Sequence, residues 1–178
     1  LLPTCRWAIP YGEKRLFFRS QASNLEFGGV SQNTYQVVRL LRHLFDFIFI
    51  ETVGIGQSEI DIQQLSHHTC LVMQPLAGDQ VQFMKAGIME IPDTYIVNKC
   101  DENILAQRSL NLLKTSLRQA QIVEEGVAEK TPIFLTSAIK KIGLVELGIH
   151  LLAIAEKNKS SGGTDPSFEK SETFFFHR

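Results

Sequence analysis

The run FDFIFIETVGIGQSE (residues 45–59) climbs through apolar residues to Ile50, then meets Glu51 and two glycines within six residues. Apart from Asp46, every residue from Phe45 to Ile50 is apolar, the pattern of a strand covered on both faces. A carboxylate at the mouth of such a strand is costly unless a cation or hydrogen-bond donors meet it. The stretch therefore predicts a buried strand that delivers an acid, Glu51, to a site.

Working outward, the same pattern recurs. HHTCLVMQP (67–75), TYIVNK (94–99) and TPIFLTSA (131–138) are short apolar runs closed by turn residues, and KRLFFRS (14–20) is a plausible further strand. Between them lie helical patterns. Residues 31–44 place Tyr35, Val37, Val38, Leu40, Leu41 and Leu44 at helical spacing, with Ser31 or Asn33 as a cap. Val81, Met84, Ile88 and Ile91 form a second stripe, residues 102–121 a third helix and residues 143–157 a closing one. Alternating strand and helix predicts an α/β fold, a mostly parallel sheet with helices on both faces. Ligands of such sheets sit beyond the C-terminal strand ends. Polar residues gather at four such ends: 51–54, 75–79, 98–101 and 136–138.

The totals agree with one ordinary domain. The chain has 178 residues, 44% apolar and 21% charged, enough for a sizeable core. A net charge of −1 argues against a broad basic face of the kind that binds nucleic acid. Cys5, Cys70 and Cys100 are odd in number and far apart, which points to a reducing compartment rather than a disulfide framework. No apolar run approaches the roughly 20 residues of a membrane span. LLPTCRWAIP (1–10) lacks an initiator Met and the order of a signal peptide, and is expected to begin in mid-domain. The tail 159–178 is Ser/Gly-rich and then Phe-rich, a linker and stub after a domain at 1–158.

NKCD supplies Asn98, Lys99 and Asp101 just past a strand. An aspartate there can take guanine's N1–H and exocyclic amine as a charge-assisted pair that adenine does not offer. Lys99 can lay its stem along a base, and Asn98 can tie loops together. The tetrapeptide alone is better taken as a solvated turn. TSA (136–138) after the next strand strengthens the case, since a backbone N–H there can reach a base carbonyl, although Ser137 alone is better taken as a helix cap. ETVG (51–54) fits as a third contact, Glu51 holding Mg²⁺ through water and a glycine N–H approaching a terminal phosphate. His67, His68 and Cys70 lack a second ligand pair, so a satisfied or surface histidine pair is preferred to a metal site. Cys100 has no identifiable base. Lys140 and Lys141 suit a solvated face, and Leu110, Leu112, Leu113 and Leu117 suit a core.

Together, FDFIFIETVGIGQSE, PLAGDQVQFMKAGIMEIPD, VNKCDE and TSA resemble the MeaB/ArgK family of P-loop GTPases, with FFRS and FGGVSQNTYQVVRLL extending the likeness over about residues 17–157. The family attends cobalamin-dependent acyl-CoA mutases and carries an older label of transport ATPase. The resemblance implies that Asn98, Lys99 and Asp101 read guanine, with Ser137 and Ala138 closing over the base. It implies that Glu51 and Gly54 sense Mg²⁺ and the γ-phosphate, and that residues 56–59, including Gln57, Ser58 and Glu59, form a switch. Residues 78–85 would match a further switch facing the mutase, through Asp79, Gln80 and Lys85; the family's usual GDE is Gly78-Asp79-Gln80 here, one charge fewer.

Two family features are missing from these 178 residues. No GxxGxGKS/T phosphate loop occurs, and LLPTCRW stands where LGDRxRM is expected. That loop's Lys and Ser/Thr make most phosphate and Mg²⁺ contacts. The expectation is thus a fragment of a longer GTP hydrolase, inactive by itself, rather than a degenerate member. Its ligands would be GTP or GDP with Mg²⁺, its partner an acyl-CoA mutase, and its location the cytoplasm or, in a eukaryote, the mitochondrial matrix. The resemblance leaves a homodimer open and implies neither nucleic acid nor membrane. The alternative is an interaction module that keeps the switch surface without hydrolysis.

Overall fold

The structure is a computed structural model, and it describes residues 13–19, 32–52, 59–75, 92–101, 103–123 and 131–160. These fall into two compact units, divided between Leu65 and Ser66.

The second unit holds the sheet. Strands β1 (Cys70–Met73), β2 (Thr94–Val97) and β3 (Ile133–Leu135) lie side by side in that order, both pairs parallel. The register sets Cys70 beside Thr94 and Ile96 beside Phe134. All four residues of the central strand β2 are buried, as expected of an unbroken apolar run with a neighbour on each side.

Helix α2 (Asn103–Val123) links β2 to β3. Strand residues alternate faces, so Leu71, Met73, Tyr95, Val97, Ile133 and Leu135 share one side, and there they pack with Leu113 and Leu117 of α2. Leu113 is 1% exposed, a burial that stabilises by roughly 2–3 kcal/mol. The opposite face carries Thr94, Ile96 and Phe134. Helix α3 (Leu144–Ser160) meets it there, His150 bonding Thr94 and packing against the Phe134 ring at 5.0 Å. Helices thus cover both faces of a parallel sheet, the arrangement of the P-loop NTPase-like α/β class.

The first unit contains α1 (Gln32–Leu41) and a 3₁₀ turn at Glu59–Gln64. Tyr35, Val38 and Leu65 are buried there, with Ile48, Ile50 and Ile62 packed against them. The last turn of α1 tightens to His43 N–H donating to the Leu40 carbonyl at 3.2 Å.

Several expectations need correction. Residues 45–50 join no ladder among the described residues, and the backbone bends at Asp46. Ile48 and Ile50 pack inward, whereas Phe47 and Phe49 are 46% and 82% exposed, so the run is covered on one face. Apolar composition shows what a segment would like to bury; a strand also needs a backbone alongside to take its N–H and C=O groups. Residues 14–19 form no strand either, and Leu16, Phe17 and Phe18 are exposed. Leu40 and Leu44 in the α1 region and Leu112 in α2 also face outward. Leu112 follows from helix geometry, since it lies about 100° around the helix from buried Leu113. The expected helix over 81–91 and the tail beyond 160 lie outside the described residues.

Candidate functional site

Because β1, β2 and β3 are parallel, their C-terminal ends open on one rim, and the chain beyond each is held by the ladder. Asn98 N–H donates to the Met73 carbonyl at 2.8 Å, and Thr136 N–H to the Val97 carbonyl at 2.8 Å. The loops after β2 and β3 therefore start from fixed positions.

Side chains then bind the two loops to each other. The Asn98 Oδ1 accepts from the Ala138 N–H at 3.2 Å and from the Thr136 hydroxyl at 3.4 Å. The Ser137 hydroxyl donates to Asp101 Oδ1 at 2.5 Å and accepts from the Lys140 N–H at 3.2 Å. Cys100 contributes through its backbone, its N–H donating to the Thr136 carbonyl at 2.9 Å. Asp101 itself is exposed. The bond from Ser137, then its own backbone, and then the charges of Lys140 and Lys99 hold its carboxyl below the usual carboxylate range. It is an anion, acceptor-only, on an ordered loop, and suits a planar ligand that presents adjacent N–H donors.

Lys99 adopts φ 58°, the left-handed region that few residues other than glycine visit. Such conformations persist where surrounding bonds over-determine them, and they cluster at ligand sites. Here Lys99 Nζ donates to Gln74 Oε1 at 2.9 Å, so the ends of all three strands are linked. The turn after β3 is closed by paired bonds between Ser137 and Ile142, with Lys141 at φ 55° and Gly143 at φ 66°.

The structure thus brings together five of the residues singled out from sequence: Asn98, Lys99, Asp101, Ser137 and Ala138. Glu51 is exposed at the end of the apolar run 45–50, in the other unit. Glu59 opens the 3₁₀ turn, whereas Gly54, Gln57, Ser58, Asp79, Gln80 and Lys85 lie outside the described residues. Sequence reasoning missed Gln74 and Lys140. Gln74 has a usable signal in hindsight, as the first polar residue past β1 on a rim where polar residues gather. Lys140 comes within reach of Asp101 only through the turn's geometry. His68 is a hydrogen-bonded, partly buried histidine. Among the described residues, no group of three or more His, Cys, Asp or Glu is arranged to hold a metal ion.

Parallel strands, helices on both faces and polar loops gathered at one rim define an α/β protein of the P-loop NTPase-like class. The chain belongs to the MeaB family: the profile of the methylmalonyl Co-A mutase-associated GTPase MeaB matches residues 7–175. A protein of Pyrococcus horikoshii named as a GTPase is 45% identical over 87 residues, 48% of this chain and 27% of the relative. A probable GTPase of Mycobacterium tuberculosis is 33% identical over 132 residues, 74% of this chain and 39% of the relative. A methylmalonic aciduria type A homolog of Caenorhabditis briggsae, mitochondrial by its name, is 34% identical over 97 residues, 54% of this chain and 24% of the relative. The matched stretches thus span between 24% and 39% of these relatives' lengths. No helix among the described residues is long and apolar enough to cross a membrane.

Proposed function

We propose that this chain carries the base-reading part of a GTP-binding domain, and that the protein it represents uses GTP in the service of a cobalamin-dependent acyl-CoA mutase. The observation that carries the first half is the ionised Asp101 carboxylate, steadied by Ser137, beside a loop pair locked by Asn98. Asp101 would accept from guanine N1–H and the exocyclic amine, the Lys99 stem would cover the ring, and Ser137 and Ala138 would close over the edge. The Ala138 N–H is engaged by Asn98 Oδ1 at 3.2 Å, so reaching a base carbonyl means lengthening that already long bond. The mutase half is supported by the family's description.

The Asp101 carboxylate, an acceptor, suits the adjacent N–H donors of guanine. For Mg²⁺ and the phosphates, the residues proposed are Glu51 and Gly54, with Gln57, Ser58 and Glu59 as the moving segment and Asp79, Gln80 and Lys85 facing the mutase. When bound, Mg²⁺ would neutralise charge on the transferring phosphate. The 178 residues hold no Gly-rich phosphate loop, so base contacts would dominate what this chain binds by itself. Hydrolysis of GTP and chaperone action on the mutase are parts of the proposal.

Backbone NMR of this chain with GTP, GDP and ATP tests it. GTP and GDP are expected to shift the Asn98, Lys99, Asp101, Ser137 and Ala138 amides, and ATP to leave them in place. Asp101→Asn should weaken guanine binding by about 2 kcal/mol, about thirtyfold. It should also favour xanthine nucleotides, whose carbonyl replaces the exocyclic amine and accepts from the new amide. An equal response to ATP and GTP would sink the guanine reading. Turnover of GTP by this chain alone would remove the alternative of a non-hydrolysing interaction module.

A further inference from the structure

At the opposite end of the sheet, three side chains from three segments meet around one hydroxyl. His68 lies just before β1, Thr94 opens β2 and is fully buried, and His150 sits in mid-α3. The Thr94 Oγ1 lies 2.9 Å from His68 Nε2 and 3.1 Å from His150 Nε2. The imidazole rings meet edge to face with centroids 5.9 Å apart, and His150 also packs on Phe134. The titratable groups facing His68 are Asp93, with Oδ2 at 3.9 Å from Nδ1, and His150; Cys70 stands beside Thr94 in the register and is itself influenced by Asp93. Asp93 is anchored, its Oδ2 accepting from the Thr69 N–H at 2.7 Å.

A hydroxyl has one proton to donate and two lone pairs to accept with. Both histidines approach Thr94 through Nε2, so only one of them can be the acceptor. The Asp93 carboxylate beside His68 Nδ1 favours a proton on that nitrogen, leaving His68 Nε2 bare. The chain of bonds therefore runs from His150 Nε2–H to Thr94 Oγ1, and from the Thr94 hydroxyl to His68 Nε2. This is an assignment from the bonding pattern, and it gives the two histidines opposite tautomers.

Protons added to this chain have unequal effects. One placed on His150 Nδ1 leaves every bond intact. A second must go to His68 Nε2, which then loses its lone pair. The buried Thr94 hydroxyl keeps its proton but loses its acceptor, and two imidazolium rings face each other at 5.9 Å. An orphaned buried donor and a like-charge pair both oppose the closed arrangement.

We propose that His68, Thr94 and His150 form a proton-sensitive clip that holds α3 against the sheet with none or one added proton and releases it with two. The clip is independent of the guanine reading. Burial holds His68 below the ordinary histidine value, with His150 adding to the effect and Asp93 opposing it. The released state takes the proton near the ordinary value of 6.5 and the closed state resists it, so closure is favoured above that pH and lost as pH falls below it.

Two measurements on the full chain decide the matter. At about pH 7.5, imidazole ¹⁵N spectra should show His68 protonated on Nδ1 and His150 on Nε2. Between about pH 6.5 and pH 5, exchange protection of the α3 amides around His150, corrected for intrinsic rates, should fall up to tenfold per pH unit, one proton's worth, while α2 keeps its protection. His68→Gln, whose amide oxygen can accept from Thr94 but takes no proton, should keep α3 protected and flatten the loss. The same tautomer on both histidines, α3 protection that follows α2 at every pH, or an undiminished slope in His68→Gln would each overturn the proposal. Should His68→Gln fail to fold, the first two readouts on the unaltered chain still decide.

Discussion

Asn98 has no charge and is only partly buried, yet its Oδ1 is where the loops after β2 and β3 are joined. Both bonds are long, so Asn98→Ala should cost about 1 kcal/mol in chemical denaturation. The larger effect belongs in the loops, where exchange at Ala138 should rise while β2 stays protected. Rapid exchange in both variant and parent would show that the tie is not formed in solution. Tyr95 makes the opposite point. It is fully buried, and burial pushes its phenol up to about 12. The folded state keeps it neutral while the unfolded chain ionises near 10, so stability should fall as pH rises between those values.

Two glycines separate space from conformation at the scale of the element. Gly143, at the entrance to α3, has φ 66°, and a Cβ there would stand 2.1 Å from the Leu135 carbonyl oxygen. Gly143→Ala must therefore move the backbone, with a loss of about 2 kcal/mol or more and disturbance of the Ser137 turn. Gly148, inside α3, would meet nothing within 4 Å, so Gly148→Ala should stabilise by roughly 0.5–1 kcal/mol through the helix backbone alone. Thermal unfolding of the pair checks both signs; destabilisation by Gly148→Ala would mean that α3 packs more closely than these distances state.

Among the described residues, large apolar side chains stand exposed in both units. In the first unit Leu40, Leu44, Phe47 and Phe49 are 63%, 65%, 46% and 82% exposed, while Tyr35 and Val38 nearby are buried. Large uncovered apolar side chains promote association. Sedimentation of the chain should show mass rising with concentration, and Phe49→Glu should reduce that rise; a monomer at every concentration would count against this expectation.

The three ladder strands, α2 and α3 were legible in the sequence because each couples a clean periodicity to a bounding turn residue. The pairing of NKCD with TSA was legible because both follow apolar strands, and parallel topology brings such ends to one rim. Residues 45–50 show the limit. Their composition states a preference for burial, and whether a neighbouring backbone satisfies it depends on atoms remote in sequence. By itself the sequence determined the family, the parallel α/β class and two of the four strand ends expected at the rim, 98–101 and 136–138. Only the tertiary structure decided that Gln74 meets Lys99, that Lys140 stands near Asp101, and that His68 and His150, separated by eighty-two positions, share one hydroxyl. Periodicity is local and survives in the string of residues, whereas hydrogen bonds between loops and helix faces depend on where the packed elements place their side chains.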